Sequence, residues 1–156
     1  MTNKEVDSVL GYIKIGAGIY LGNGKDKLLL PNIITIDAEN PIAELIVDFK
    51  DFVCWGNENG ETVRFDSIIM CQYLRKQINP VEYIRKAYNV LKDGGHLIII
   101  ETHNWRKADR HLWRPPEMEG FLTLFSKYFF IECKKQVEGE DSYVVVLRKQ
   151  GVENVK

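Results

Sequence analysis

The chain has 156 residues, enough for one domain that buries roughly 70% of the surface its unfolded form exposes. Basic and acidic residues nearly cancel, 21 against 22, for a formal net charge of -1, so no global field favours nucleic acid or an anionic membrane as partner. Cys54, Cys71 and Cys133 lie far apart with no CxxC pair, which argues against a disulfide framework and a cysteine zinc site. No apolar run reaches the ~18 residues of a membrane span, so the expectation is a cytoplasmic protein of one domain, residues 1–156.

In chain order, residues 13–15, 33–36, 45–47, 68–70, 97–100 and 143–147 are short, nearly continuous, β-branched-rich apolar runs. Continuous runs suit strands covered on both faces, as in α/β sheets. The first is followed at once by glycines, in "YIKIGAGIYLGNG". Asn79, Pro80 and Glu82 supply an N-cap, a proline for the first helical position and a capping-box acid. Val81, Ile84, Ala87, Tyr88 and Leu91 then recur at helical spacing up to Lys92 and the Gly94–Gly95 pair. A second helix is expected after Pro115 and Pro116, with Met118, Phe121, Leu122 and Phe125 on one face. The runs "FFIECKKQ" and "SYVVVLRK" flank the short turn "VEGED", a connection only antiparallel strands can make. The sheet is therefore expected to be mixed.

In an open α/β sheet, ligands sit beyond the carboxyl ends of the strands. Gly16, Ala17 and Gly18 are expected there, either as a tight turn or as a backbone cradle. Asp37 closes "NIITID" nineteen positions past Gly18, where a carboxylate can accept both hydroxyls of a ribose. A dinucleotide fold fits less well. It wants a third glycine where Leu21 stands, and a full helix between Gly18 and Asn32, where Gly22, Gly24 and Pro31 leave little room.

Taken in order, "YIKIGAG", "IITIDAEN", "ELIVDF", "FDSIIMCQYL" and "YIRKAYNVLKDGGHLIIIETHN" resemble the successive motifs of class I S-adenosylmethionine-dependent methyltransferases, the small type with an abbreviated first helix. The resemblance spans residues 12–104. It implies a three-layer, Rossmann-like sandwich whose mixed seven-stranded sheet has the order 3-2-1-4-5-7-6 and ends in an antiparallel hairpin. It further implies S-adenosylmethionine as donor and S-adenosylhomocysteine as product. Gly16, Ala17 and Gly18 would face the donor's methionine part, Asp37 and Ala38 its ribose, and Asp48 and Phe49 its adenine, with Cys71 and Gln72 nearest the sulfonium. Lys14 stands where the family usually has an acid before the glycines, and Gln72 and Arg75 replace its usual histidine and glutamate.

The loop "ETHNWRKADRHLWRPP" carries the expectations for the acceptor. Trp105, Arg106, Arg110 and Trp113, with Tyr20, suit a phosphate, carboxylate or nucleobase, and a charged, solvated loop over packed tryptophans is the alternative. His103 is the candidate general base. No metal is expected, because His103, His111 and Asp109 lack a zinc-like spacing. The acceptor is either a small molecule or a macromolecule, anionic if the arginines contact it. A homodimer is compatible with the sequence, and a membrane partner is not expected. The competing reading is a non-catalytic donor-binding or interaction module of the same fold.

Overall fold

A computed structural model describes residues 1–13, 16–22, 24, 26–56, 58–102, 126 and 128–151. Helix α1 spans Asn3–Val9 and starts in a capping box. Glu5 N–H donates to Thr2 Oγ1 at 3.1 Å, and Thr2 N–H donates to Glu5 Oε1 at 2.8 Å. Six strands follow: β1 (Gly18–Leu21), β2 (Ile33–Thr35), β3 (Phe65–Cys71), β4 (Leu91–Thr102), β5 (Phe129–Gln136) and β6 (Ser142–Lys149). Helix α2 (Pro80–Val90) connects β3 to β4.

The sheet order is β2-β1-β3-β4-β6-β5. The first four strands are parallel, and β6 runs antiparallel to both β4 and β5, so the expected closing hairpin is present. Among the described residues six strands are found, where seven were expected. The run 45–47 does not make a strand, and a single parallel bridge, Ile36 to Leu45, stands beyond β2. Only one face of the run is covered: Leu45 and Val47 pack against the core, while Ile46 is 62% exposed.

Alternate residues of the central strands feed two apolar clusters, as continuous apolar runs require. On one face Ile19, Leu21, Ile68, Met70, Leu97 and Ile99 pack with Tyr83, Ile84, Ala87 and Val90 of α2. On the other, Tyr20, Ile69, Cys71, Ile98 and Ile100 pack with Val9 of α1 and with Leu28. Among the described residues between β1 and β2 none is helical, in keeping with an abbreviated first helix. Helix α2 begins at Pro80 as expected, but Asn79 makes no side-chain cap bond. The expected helix after Pro116 lies outside the described residues.

The first strand is the larger correction. It is residues 18–21, not 13–15, so Gly16 and Ala17 precede the strand and Gly18 opens it. Ala17 N–H donates to Asp66 Oδ2 at 3.1 Å, and Gly18 pairs with Ile33 and Ser67 near the amino ends of β2 and β3. The residues after β1 are Gly22 and Gly24. Residues Ile19, Tyr20 and Leu21 are each wholly buried, and that burial on both faces draws this segment into the sheet centre.

Candidate functional site

Three parallel strands end at one edge, and the residues that follow them line a cleft. Gly22 and Gly24 come after β1. Asp37, Ala38 and Glu39 come after β2, and Tyr73, Lys76 and Gln77 come after β3, with Asp48 completing the wall. The cleft has a cavity volume of about 140 Å³, below the roughly 300–1,000 Å³ usual for small-molecule sites, and it opens to solvent.

Both glycines are required by geometry. A Cβ on Gly22 would lie 2.5 Å from Asp26 Oδ1 and 2.7 Å from Tyr20 Cε2. Gly24 has φ 89°, a left-handed conformation that side chains disfavour. A Cβ there would stand 3.9 Å from Asp37 Oδ2, so the loop passes the carboxylate with bare backbone. Asp37 is half-buried, and its Oδ1 accepts the Glu39 N–H at 2.9 Å, a local turn that fixes the side chain.

Asp48 is held from two sides. Its Oδ1 accepts the Lys50 N–H at 3.0 Å, capping a short 3-10 turn, Phe49–Asp51, and Tyr83 of α2 donates its hydroxyl to the same carboxylate. Burial first, and the neighbouring Tyr83 and carboxylates second, push the Tyr73 phenol well above its ordinary value. Tyr73 therefore offers the cleft a neutral hydroxyl and an aromatic edge. The strand-end residue Gln72 has φ 52°, a strained conformation for a residue with a side chain, worth about 1–3 kcal/mol. Its N–H donates to Ile100 O at 2.8 Å, which ties the bend to β4.

Asp37, Ala38 and Asp48 thus share one cleft, with Gln72 at the end of the neighbouring strand. Phe49 does not line it; its ring is buried in the core, stacked on Phe52 at 6.2 Å. Cys71 is also core, and burial pushes its thiol up to about 12, so it is not a nucleophile. Tyr20 is wholly buried on the α1 side of the sheet and donates to Asp26 Oδ2 at 2.7 Å, which removes it from any acceptor surface. Gly16, Ala17 and Gly18 lie toward the opposite end of the strands. His103, Trp105, Arg106, Arg110 and Trp113 fall outside the described residues. Glycines 22 and 24 line the cleft without being among the expected site residues, although the "GNG" after "IYL" is itself a strand-then-turn signal.

No protein-family model matches the sequence, and no curated protein does. Solved structures do. The N-methyltransferase NodS from Bradyrhizobium japonicum superposes with a TM-score of 0.66 at 14% identity, over 95% of this chain and 96% of its own. A possible histamine N-methyltransferase from Thermotoga maritima gives 0.67 at 16%, over 94% and 88%. The fold is that of the S-adenosylmethionine-dependent methyltransferases. A methyltransferase from Aquifex aeolicus agrees, with a TM-score of 0.65 at 14% identity over 94% of this chain and 89% of its own. NodS has also been solved in complex with S-adenosylhomocysteine. At these identities the methyltransferase likeness is one of fold.

Proposed function

We propose that the chain binds S-adenosylmethionine in the cleft and transfers its methyl group to an acceptor. The observation that carries the reading is the meeting of Asp37 with Gly22 and Gly24: a ribose-binding carboxylate and a bare backbone turn on one cleft at the carboxyl edge of a methyltransferase fold. Asp37 accepts the ribose hydroxyls, Asp48 borders the adenine, and the backbone at Gly22 and Gly24 passes close to the amino-acid end. Gln72 and Tyr73 stand toward the sulfonium, which aromatic faces and carboxylates favour. The bound donor supplies an activated methyl group, so the protein's work is alignment and exclusion of water. His103 as base, and Trp105, Arg106, Arg110 and Trp113 as acceptor contacts, belong to this proposal.

One observation favours the non-catalytic alternative. Arg75, 5% exposed, is committed to Thr102 Oγ1 at 2.9 Å and to the buried Glu101, so the turn after β3 presents it to no substrate. Calorimetric titration with S-adenosylmethionine and S-adenosylhomocysteine, with NADH as control, tests the donor reading. Micromolar binding of the first two alone supports it, and no binding by folded protein rejects it. Turnover of methyl-labelled donor then separates enzyme from binding module.

A further inference from the structure

The cleft stands on two segments that follow different strands, one with Gly22, Gly24 and Asp26 after β1 and the other residues 37–40 after β2. The backbone ladder between those strands reaches Ile36 N–H to Tyr20 O at 3.2 Å, while Asp37 N–H turns away to Leu45 O. Side chains take over from there. The wholly buried Tyr20 donates its hydroxyl to Asp26 Oδ2 at 2.7 Å. Asn40, 1% exposed, donates Nδ2 to the Asp26 carbonyl at 2.7 Å, and its Oδ1 accepts the Ile42 N–H at 3.1 Å. Met1 N also donates to Asp26 Oδ2, at 2.6 Å.

These contacts leave the glycine loop little slack, since Gly22 already lies against Asp26 and Tyr20 too closely for a Cβ. Burial holds the Tyr20 phenol far above its ordinary range, so its hydroxyl stays a donor across physiological pH. A buried polar chain of this kind, in which Tyr20, Asn40 and the Met1 amine all hold Asp26, ties together the loops it joins.

We infer that Tyr20, Asp26 and Asn40 form a bracket behind the cleft that fixes the loop carrying Gly22 and Gly24 against the loop carrying Asp37, making Tyr20 and Asn40 positioning residues for donor binding. This rests on the donor reading above. Neither residue lines the cleft, and each acts through Asp26. A slackened bracket would let Asp37 and the glycine backbone part by a fraction of an ångström, enough to weaken a ligand that must touch both.

The test uses Tyr20→Phe and Asn40→Ala in the full chain, each titrated with S-adenosylhomocysteine at a temperature where it is folded, alongside amide hydrogen exchange. Tyr20→Phe keeps the ring and removes only the hydroxyl. Each variant is expected to bind about tenfold more weakly, with faster exchange confined to residues 22–26 and 37–40. The double variant should lose less than the product of the two losses, because both act on Asp26. Unchanged affinity in the folded variants overturns the positioning role, whatever happens to their melting temperatures. Should one variant fail to fold, the other decides. If the unaltered chain binds no S-adenosylhomocysteine, the donor reading falls separately, and exchange judges the bracket: faster exchange in the two loops upholds it, and unchanged exchange overturns it.

Discussion

The Tyr83 hydroxyl lies 2.9 and 3.1 Å from the two carboxylate oxygens of Asp48, joining helix α2 to the wall of the cleft. This contact crosses 35 residues of sequence, so it is a tertiary tie and not a local turn. Tyr83→Phe removes the hydroxyl and keeps the ring, which packs edge-on to Tyr73 at 5.5 Å. Loss of one such bond should lower stability by about 0.5–1.5 kcal/mol. Urea unfolding of the variant measures it, and an unchanged midpoint would show that water replaces the bond at no cost.

The same tie predicts alkaline behaviour. Burial first, then the bond to Asp48, raises the Tyr83 phenol above its ordinary 10.0, and burial likewise raises Tyr73, Tyr20 and Tyr143. A raised acid binds its proton more tightly in the folded state, so between the unfolded and folded values the native form carries more protons. Stability is then fully present below pH 10 and falls as pH rises beyond it. Absorbance titration of the phenols should show a group that ionises only as the chain unfolds. Four tyrosines titrating freely near pH 10 in folded protein would contradict their burial.

The two glycine pairs make opposite predictions. Gly22→Ala puts a methyl group against Asp26 and Tyr20 at the cleft, and should weaken S-adenosylhomocysteine binding by more than about tenfold in folded protein. Gly16→Ala meets the Asp66 side chain at the far end of the strands and should cost stability alone. Binding lost with Gly16→Ala but kept with Gly22→Ala would return the donor turn to residues 16–18.

That exchange of glycines shows where the sequence was ambiguous. Both "YIKIG" and "GIYLG" are short apolar runs beside glycines, and local pattern does not rank them. What separates them is tertiary: Ile19 and Leu21 meet the α2 cluster while Tyr20 meets Ile69 and Ile98 on the other face. By contrast β3, α2, β4 and the closing hairpin were legible, because long β-branched runs, a proline at a helix start and a tight turn each allow few alternatives. The place of Asp37 on the cleft was legible for the same reason, since it follows shortly after an unambiguous strand. The run 45–47 reads as a strand from its apolar content, which does not say that Leu45 and Val47 alone are covered while Ile46 faces solvent. Tyr20 was harder to place, because its burial and its bond to Asp26 are tertiary contacts that no spacing encodes.

Gln72 separates strain from function. With φ 52° it holds a conformation that glycine adopts freely, so Gln72→Gly should recover part of the roughly 1–3 kcal/mol of strain and raise the unfolding midpoint. If its side chain contacts the donor's reacting end, the same variant should bind or turn over less well while being more stable. Higher stability with unchanged binding and turnover would reduce Gln72 to a bend in the chain.

Asp37→Asn is the sharpest test of the ribose contact. The amide keeps an oxygen to accept the Glu39 N–H, so the local turn survives and stability should move by no more than about 0.5 kcal/mol. What it loses is the charge, and hydrogen bonds to a charged acceptor are worth about 1.5–3 kcal/mol, or roughly 10–100-fold in affinity. Calorimetry of the variant should therefore show much weaker S-adenosylhomocysteine binding with an unaltered melting temperature. Affinity equal to that of the unaltered chain would mean that Asp37 faces solvent in the complex, and the ribose would need another acceptor. The carboxylates that line the same cleft are Glu39 and Asp48. Asp48 is already engaged by Tyr83 and Lys50, so Glu39 would become the residue to substitute next.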